Sequence, residues 1–173
     1  MNFQALLTDK SLKAAEKRGL LADAIRAGAV CAADFSALSA DDKTAALLLE
    51  ALEALSRTNP ECADLQWLRF AQEKLSVANN SVKREASRVI GNLAARFPEA
   101  LAGTLAPLLA NAESDGTLVR WGSAYALGRI VQTSQYANSA LYDTVEKLAE
   151  SETENGVKNQ YLAGLKRAGK LRR

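Results

Sequence analysis

The chain has 173 residues, enough for one domain with a substantial core, and its 48% hydrophobic and 24% charged content is that of a folded globular protein. The net charge is +2 and there is no histidine, which removes the commonest general base and metal ligand, and with them Ser-His-Asp triads, Cys-His pairs and His-containing zinc sites. The two cysteines, Cys31 and Cys62, form no CxxC pair and cannot complete a four-thiolate site, so they read as reduced thiols and neither a metal nor a cofactor is expected.

From the N-terminus, Asp9 to Arg18 reads as a helix ended by Gly19, and Leu20 to Ala27 as a second, short one stopped by Gly28. Residues 28–39 show no clear period; Asp34 to Leu38 fits a helical turn or a loop that buries Phe35 and Leu38. Ser39 stands where a helix cap would, with Asp41 and Asp42 in the first turn (a capping role, not a metal site), and Leu47, Leu48, Leu49, Leu52 and Leu55 carry that helix to Thr58. Asn59-Pro60 opens the next helix, Cys62 to Val77, with Leu65, Leu68, Ala71 and Leu75 at helical spacing. Asn79-Asn80-Ser81 caps a helix from Val82. Phe97-Pro98 ends it and starts another over Glu99 to Asn111, where Gly103 and Pro107 predict a kink or a break. Asp115-Gly116-Thr117 is a turn whose Thr117 caps the helix from Val119, and Tyr136 to Glu150 and Val157 to Lys170 follow as helices, with a frayed end at Leu171-Arg172-Arg173. No segment alternates with the period of a half-buried strand, so the fold class is all-α. No apolar run is long enough to span a bilayer, Met1–Leu7 lacks the pattern of a signal peptide, and no GxxxxGK[ST] loop is present; a cytoplasmic, monomeric protein is expected.

Three of these helices match position by position. Val82, Val119 and Val157 open them at spacings of 37 and 38 residues, and Lys83, Arg120 and Lys158 come next. Ile90, Leu127 and Leu165 fall on the buried stripe, as do Leu93, Ile130 and Ala168. A fourth copy fits earlier in the chain, where Leu48, Leu52 and Leu55 take the apolar places and Thr44-Ala45 replaces the Val-Lys start. Each copy is preceded by a partner helix, so the unit is a helical hairpin of about 38 residues, a length at home among helical-repeat solenoids. A lone hairpin cannot bury both of its apolar faces; stacked neighbours bury them along one continuous core.

The run Val119-Arg120-Trp121-Gly122-Ser123-Ala124-Tyr125-Ala126-Leu127-Gly128 resembles the second helix of a HEAT repeat, within the wider HEAT and armadillo type of α-solenoid. The likeness is good from about Asn59 to Lys170, weaker from Ser39 to Thr58 and absent before that. It implies a right-handed α-α superhelix of about four hairpins forming one domain over 1–173. Residues 1–38 would be capping helices and 39–173 the repeats, with second helices near 41–57, 82–96, 118–132 and 156–170 lining the inner side. It also implies a kinked first helix at Pro107, and a structural ladder role for Lys83, Arg120 and Lys158, whose cations bond to neighbouring turns and hold the stack in register.

Arg84, Arg88 and Asn92 stand at i, i+4 and i+8, opposite Ala86, Val89, Ile90 and Leu93. Their equivalents are Trp121, Tyr125 and Arg129 on the next copy and Asn159, Ala163 and Arg167 on the last. Stacked, these form one face rich in Arg, Trp, Tyr and Asn; Trp, Tyr and Arg are the residue types of binding hot spots, although Trp121 and Tyr125 could equally pack across a helix seam. The matched helices and the tail carry many bases and one acid, Glu85, while the segments between them are acidic, so a positive inner face is expected. Glu50 and Glu53 read as a solvated edge, and Gly122, Gly128 and Gly164 as close helix contacts. The expected function is therefore a non-catalytic interaction module. Arg84, Arg88, Asn92, Trp121, Tyr125, Arg129, Asn159 and Arg167 would hold an acidic protein or peptide. A phosphate backbone of nucleic acid is the alternative ligand. A lyase or glycosylase-type subunit, other chemistries found on such arrays, stands behind both because no catalytic carboxylate can be singled out.

Overall fold

The computed structural model describes residues 2–39 and 41–172. The expectations placed on Met1, Ala40 and Arg173 lie outside the described residues. Among these residues the chain is helical, without a strand: α1 Phe3–Thr8, α2 Ala14–Arg26, α3 Ala32–Leu38, α4 Asp42–Thr58, α5 Leu65–Glu73, α6 Asn80–Leu93, α7 Ala102–Ala112, α8 Thr117–Ile130, α9 Ser134–Ala137, α10 Ala140–Ser151 and α11 Asn155–Ala168. Single 3-10 turns, Pro60–Cys62 and Pro98–Ala100, precede α5 and α7.

The second helices form one row in the order α2, α4, α6, α8, α11, each packed on the next, while α3, α5, α7 and α10 lie on the other side against the row. The matched apolar positions build the core between the two layers. Val82, Ala86, Val89, Ile90 and Leu93 of α6 are fully buried, and Leu48 and Leu52 of α4 and Ala126, Leu127 and Ile130 of α8 repeat the stripe. One apolar cluster runs unbroken from Leu6 to Ala168, as stacking of incomplete hairpins requires. The row, the inner layer, is much more tightly packed than the outer layer, whose first helices touch one another sparsely. Outer links are individual polar bonds: Gln72 Nε2 donates to the Ala100 carbonyl (2.9 Å) and to Thr104 Oγ1 (2.6 Å), and Asn111 Nδ2 donates to the Leu75 carbonyl (2.9 Å).

Several local expectations are corrected. Gly19 does not end a helix; α2 runs through it, because Leu21 and Ile25 are buried against the row and outweigh the roughly 1 kcal/mol that a mid-helix glycine costs. Gly28 does end it, with a φ of 66° that other residues reach only with strain. Residues 28–39 hold a helix, α3, whose Phe35 is fully buried and packs edge-on to Trp67 at 4.8 Å. Ser39 closes α3 instead of opening α4; the cap of α4 is Asp41, which accepts from the Thr44 N–H at 2.9 Å. Asp64 caps α5 in the same way, so that helix starts at Leu65 and not at Cys62. Thr117 lies inside α8, whose cap is Gly116. The helix expected over Tyr136 to Glu150 is two, because Ser139 restarts the chain by accepting from the Leu141 N–H at 3.2 Å. Pro107 does not break α7. The carbonyl deprived of a donor belongs to Gly103, which is exposed and can turn to water. The tail is not loose through Arg172, which donates to the Ala137 carbonyl at 3.4 Å and lies 3.9 Å over the Tyr142 ring.

Candidate binding face

Seams between neighbouring inner helices change character along the row. At the α4–α6 seam the contact is ionic. Arg84 Nε donates to Glu85 Oε1 at 2.7 Å, Arg88 Nη1 donates to Glu85 Oε2 at 2.8 Å, and Arg88 Nη2 lies 2.7 Å from Glu53 Oε1. Glu53 and Glu85 are 4% and 1% exposed, so both carboxylates are taken out of water and matched by guanidinium groups from one face of α6. Glu53 is thus no solvated edge. Burial pushes its carboxyl above the ordinary glutamate range, and Arg88 and then Arg57 pull against that shift. Glu50 is ion-paired as well, to Arg18 of α2 at 2.7 Å. A groove of ≈ 450 Å³ opens between α2, α4 and α6, with Arg18, Glu50, Arg57, Arg84 and Arg88 on its walls. This part of the inner face is therefore of mixed charge, not uniformly positive.

The α6–α8 seam is polar and aromatic. Tyr125 donates its hydroxyl hydrogen to Asn92 Oδ1 at 2.6 Å, and Asn92 Nδ2 donates to the Glu53 carbonyl (3.3 Å) and to Ser56 Oγ (3.1 Å), so one amide ties three helices together. Asn92 is buried, and burial pushes the Tyr125 hydroxyl above the usual tyrosine range, which keeps it a donor. Trp121 stacks on Tyr125 with centroids 5.5 Å apart. Arg88 lies 5.8 Å over the Trp121 ring and Arg129 4.4 Å over the Tyr125 ring. Both aromatic rings remain partly exposed. Tyr125→Phe should cost about 1–2 kcal/mol in urea melts, because Asn92 Oδ1 is left buried without its donor; an unchanged midpoint would show that the bond contributes nothing.

At the α8–α11 seam there is almost no side chain at all. A Cβ on Gly128 would fall 2.6 Å from the Gln160 carbonyl oxygen, and one on Gly164 would fall 2.5 Å from Gly128 Cα. Gly122 is similarly close to α6, where a Cβ would stand 3.0 Å from Arg84 Cα. The edge of this seam holds a cation in the ladder position: Arg120 donates to Glu152 (3.0 Å) and to the carbonyls of Ser114 (2.9 Å) and Asp115 (3.2 Å). Burial would raise the Glu152 carboxyl, but Arg120 and the Glu154 N–H outweigh it and hold it low. Lys158 reaches the Glu152 carbonyl at 3.5 Å, whereas Lys83 makes no such bond among the described residues.

Of the residues singled out by pattern, Arg84, Arg88, Asn92, Trp121, Tyr125 and Arg129 are brought into one connected patch. Asn159 and Arg167 are exposed on α11 and make no hydrogen bond, ion pair or ring contact with that patch among the described residues. Arg18, Glu53 and Arg57 belong to the face and were missed by sequence reasoning. A signal for Glu53 exists: it stands nine residues after Thr44, where the later copies carry Gly91 and Gly128, so a carboxylate replaces the small residue of a helix contact.

No protein-family model matches the chain, and no curated protein matches it. Solved structures do. A designed armadillo repeat protein superposes with a TM-score of 0.67 at 17% identity, over 96% of this chain and 80% of that one. Two engineered proteins follow, one with a TM-score of 0.65 at 19% identity over 97% and 80%, and one with 0.68 at 18% identity over 96% of this chain but 47% of that longer one. The fold is thereby a helical-repeat solenoid of the armadillo kind, to which the HEAT arrangement is close.

Proposed function

Starting from an all-α solenoid whose inner helices share one face, we propose that the protein is a non-catalytic binding module that holds an acidic protein or peptide against that face. The observation that carries this reading is the Trp121–Tyr125 stack, partly exposed and flanked by Arg88 and Arg129. Such a pair offers rigid apolar area at low entropic cost, and the adjoining guanidinium edges suit carboxylates. Arg84 and Arg88 are largely satisfied by Glu53 and Glu85, so Arg57 and Arg129, which keep more of their charge uncompensated, are the groups assigned to an acidic partner. A nucleic-acid backbone, charged at every unit, needs an extended positive track, and the mixed charge of the neighbouring groove interrupts one, which makes it the weaker ligand. Among the described residues no helix is long and apolar enough to cross a membrane.

The test compares the wild type with Trp121→Ala/Arg129→Glu in affinity capture from native lysate, followed by titration of the captured species. Trp67 is buried away from the face, so a change in tryptophan emission on binding reports Trp121 in the wild type. The double variant is expected to bind about 30-fold or more weakly, the loss typical of a hot-spot tryptophan. Equal affinity for both proteins would remove the site, and capture of nucleic acid with a steep fall in added salt would replace the acidic partner by a phosphate backbone.

A further inference from the structure

The C-terminal end of the row carries a second surface, separate from the inner face. Certain positions of each inner helix look toward the next hairpin. Five residues after the opening position stand Leu49, Ser87 and Ala124, and twelve after it stand Ser56, Ala94 and Val131; all are at most 1% exposed because the following helix covers them. Nine after it stand Glu53, Gly91 and Gly128, buried as well. On α11 and the residue that follows it the same three places are Leu162, Lys166 and Gly169, and all three are exposed, Leu162 to 46%. The stripe that a following hairpin would cover therefore presents an exposed leucine.

That leucine stands beside a groove of ≈ 700 Å³ between α10 and α11. One wall carries Tyr142, Glu146 and Glu150, the other Lys158, Leu162 and Lys166. Glu146, Glu150 and Lys166 make no ion pair among the described residues. Equal numbers of acids and bases on opposite walls make this surface complementary to itself, not to a strongly acidic or strongly basic partner.

We propose that the end docks onto the same end of a second copy of the chain, related by a two-fold axis parallel to the helices. Under that axis α11 of each copy lies on α10 of the other. Lys158 and Lys166 then face Glu146 and Glu150 twice over, and Leu162 packs toward the Tyr142–Ala149 side of the opposing groove. The other two-fold arrangement, α11 on α11, would set lysine against lysine and is disfavoured. An isologous contact of this kind closes at two copies and builds no filament. The proposed dimer differs from the monomer expected from the sequence and would leave the inner face of each copy open.

Sedimentation velocity on the full chain at graded concentration tests this. The wild type is expected to dimerise, and Leu162→Glu, an exposed position that leaves the core intact, should weaken the dimer at least about tenfold, as burying an unpaired carboxylate in an apolar contact does. Lys166→Glu should weaken it too, and adding Lys158→Glu, Glu146→Lys and Glu150→Lys to Lys166→Glu, which exchanges the charges of the two walls, should restore it, a rescue that a general loss of folding cannot produce. Trp121→Ala/Arg129→Glu should dimerise normally, so failure of the inner-face reading and of this one are distinguishable. A chain that stays monomeric up to about 100 µM, a concentration at which even micromolar contacts are occupied, overturns the proposal, as does a dimer indifferent to both Leu162→Glu and Lys166→Glu.

Discussion

Replacing Arg88 by Met is expected to lower folding stability by about 3–5 kcal/mol at neutral pH, the usual consequence of stranding buried carboxylates. Glu53 and Glu85 would keep only Arg57, at 3.6 Å and more than half exposed, and Arg84 as counter-charges. A native protein holds a margin of roughly 5–15 kcal/mol, so the variant stands close to unfolding. The loss should depend on pH in a definite direction. Burial already raises the Glu53 carboxyl, and removing Arg88, the strongest opposing influence, raises it further. A carboxyl with a folded value above its unfolded one, about 4.3 for glutamate, favours the folded state most below that unfolded value, and the benefit fades as pH rises through the folded value. The gap between variant and wild type should therefore narrow as pH falls from 7.5 towards 5. Comparing the two proteins at each pH cancels the opposite trend of Glu152, held low in both. Urea melts at both pH values check this; a gap below about 1 kcal/mol that ignores pH would mean that the ionic seam does not hold α4 to α6. Arg88→Met combined with Glu53→Met should recover part of the loss, since an apolar pair of similar volume removes one stranded charge.

Gly164→Val should be nearly as damaging for an unrelated reason. The new Cβ would meet the Gly128 carbonyl oxygen and stand 2.5 Å from Gly128 Cα, and both are main-chain atoms with no rotamer to yield. α8 and α11 must move apart and open the core beneath Val157, Tyr161 and Leu165. Overpacking commonly costs 1–3 kcal/mol, and a backbone-on-backbone clash belongs at the top of that span, about 3 kcal/mol. For a chain of this length that lowers Tm by roughly 6–12 °C. Gly103→Ala supplies the contrast: nothing lies within 4 Å of its Cβ, and alanine should raise stability by up to about 1 kcal/mol through helix propensity. Thermal melts by circular dichroism decide between these, and a Gly164→Val protein melting within about 2 °C of the wild type would show that the seam is looser than its geometry.

The periodic part of the fold was legible because a stack reuses the same positions. Val82, Val119 and Val157 mark equivalent places, and their spacing alone put α6, α8 and α11 side by side. Local punctuation was less legible. Ser39 and Asp41 are both capping residues two apart, and only the turn that follows selects Asp41. Gly19 looks like a stop unless one knows that Leu21 and Ile25 are buried beyond it. At the candidate face, periodicity could assign Arg84, Arg88 and Asn92 to one stripe but not say what they meet. Their partners Glu53 and Ser56 lie 35 and 36 positions away, on a helix whose sequence departs most from the repeat. The charge segregation was visible in the sequence, but Glu53 and Glu85 look like surface acids until the neighbouring helix covers them.

The bonds that join one hairpin to the next all connect residues of similar separation: 32 for Gln72–Thr104, 33 for Tyr125–Asn92, 36 for Asn111–Leu75 and 39 for Asn92–Glu53. None clasps the first hairpin to the last among the described residues. Closing any seam thus needs only a short loop of chain, and no seam must wait for another. Low contact order of this sort favours quick folding, and nucleation can begin at any junction and spread outward from it.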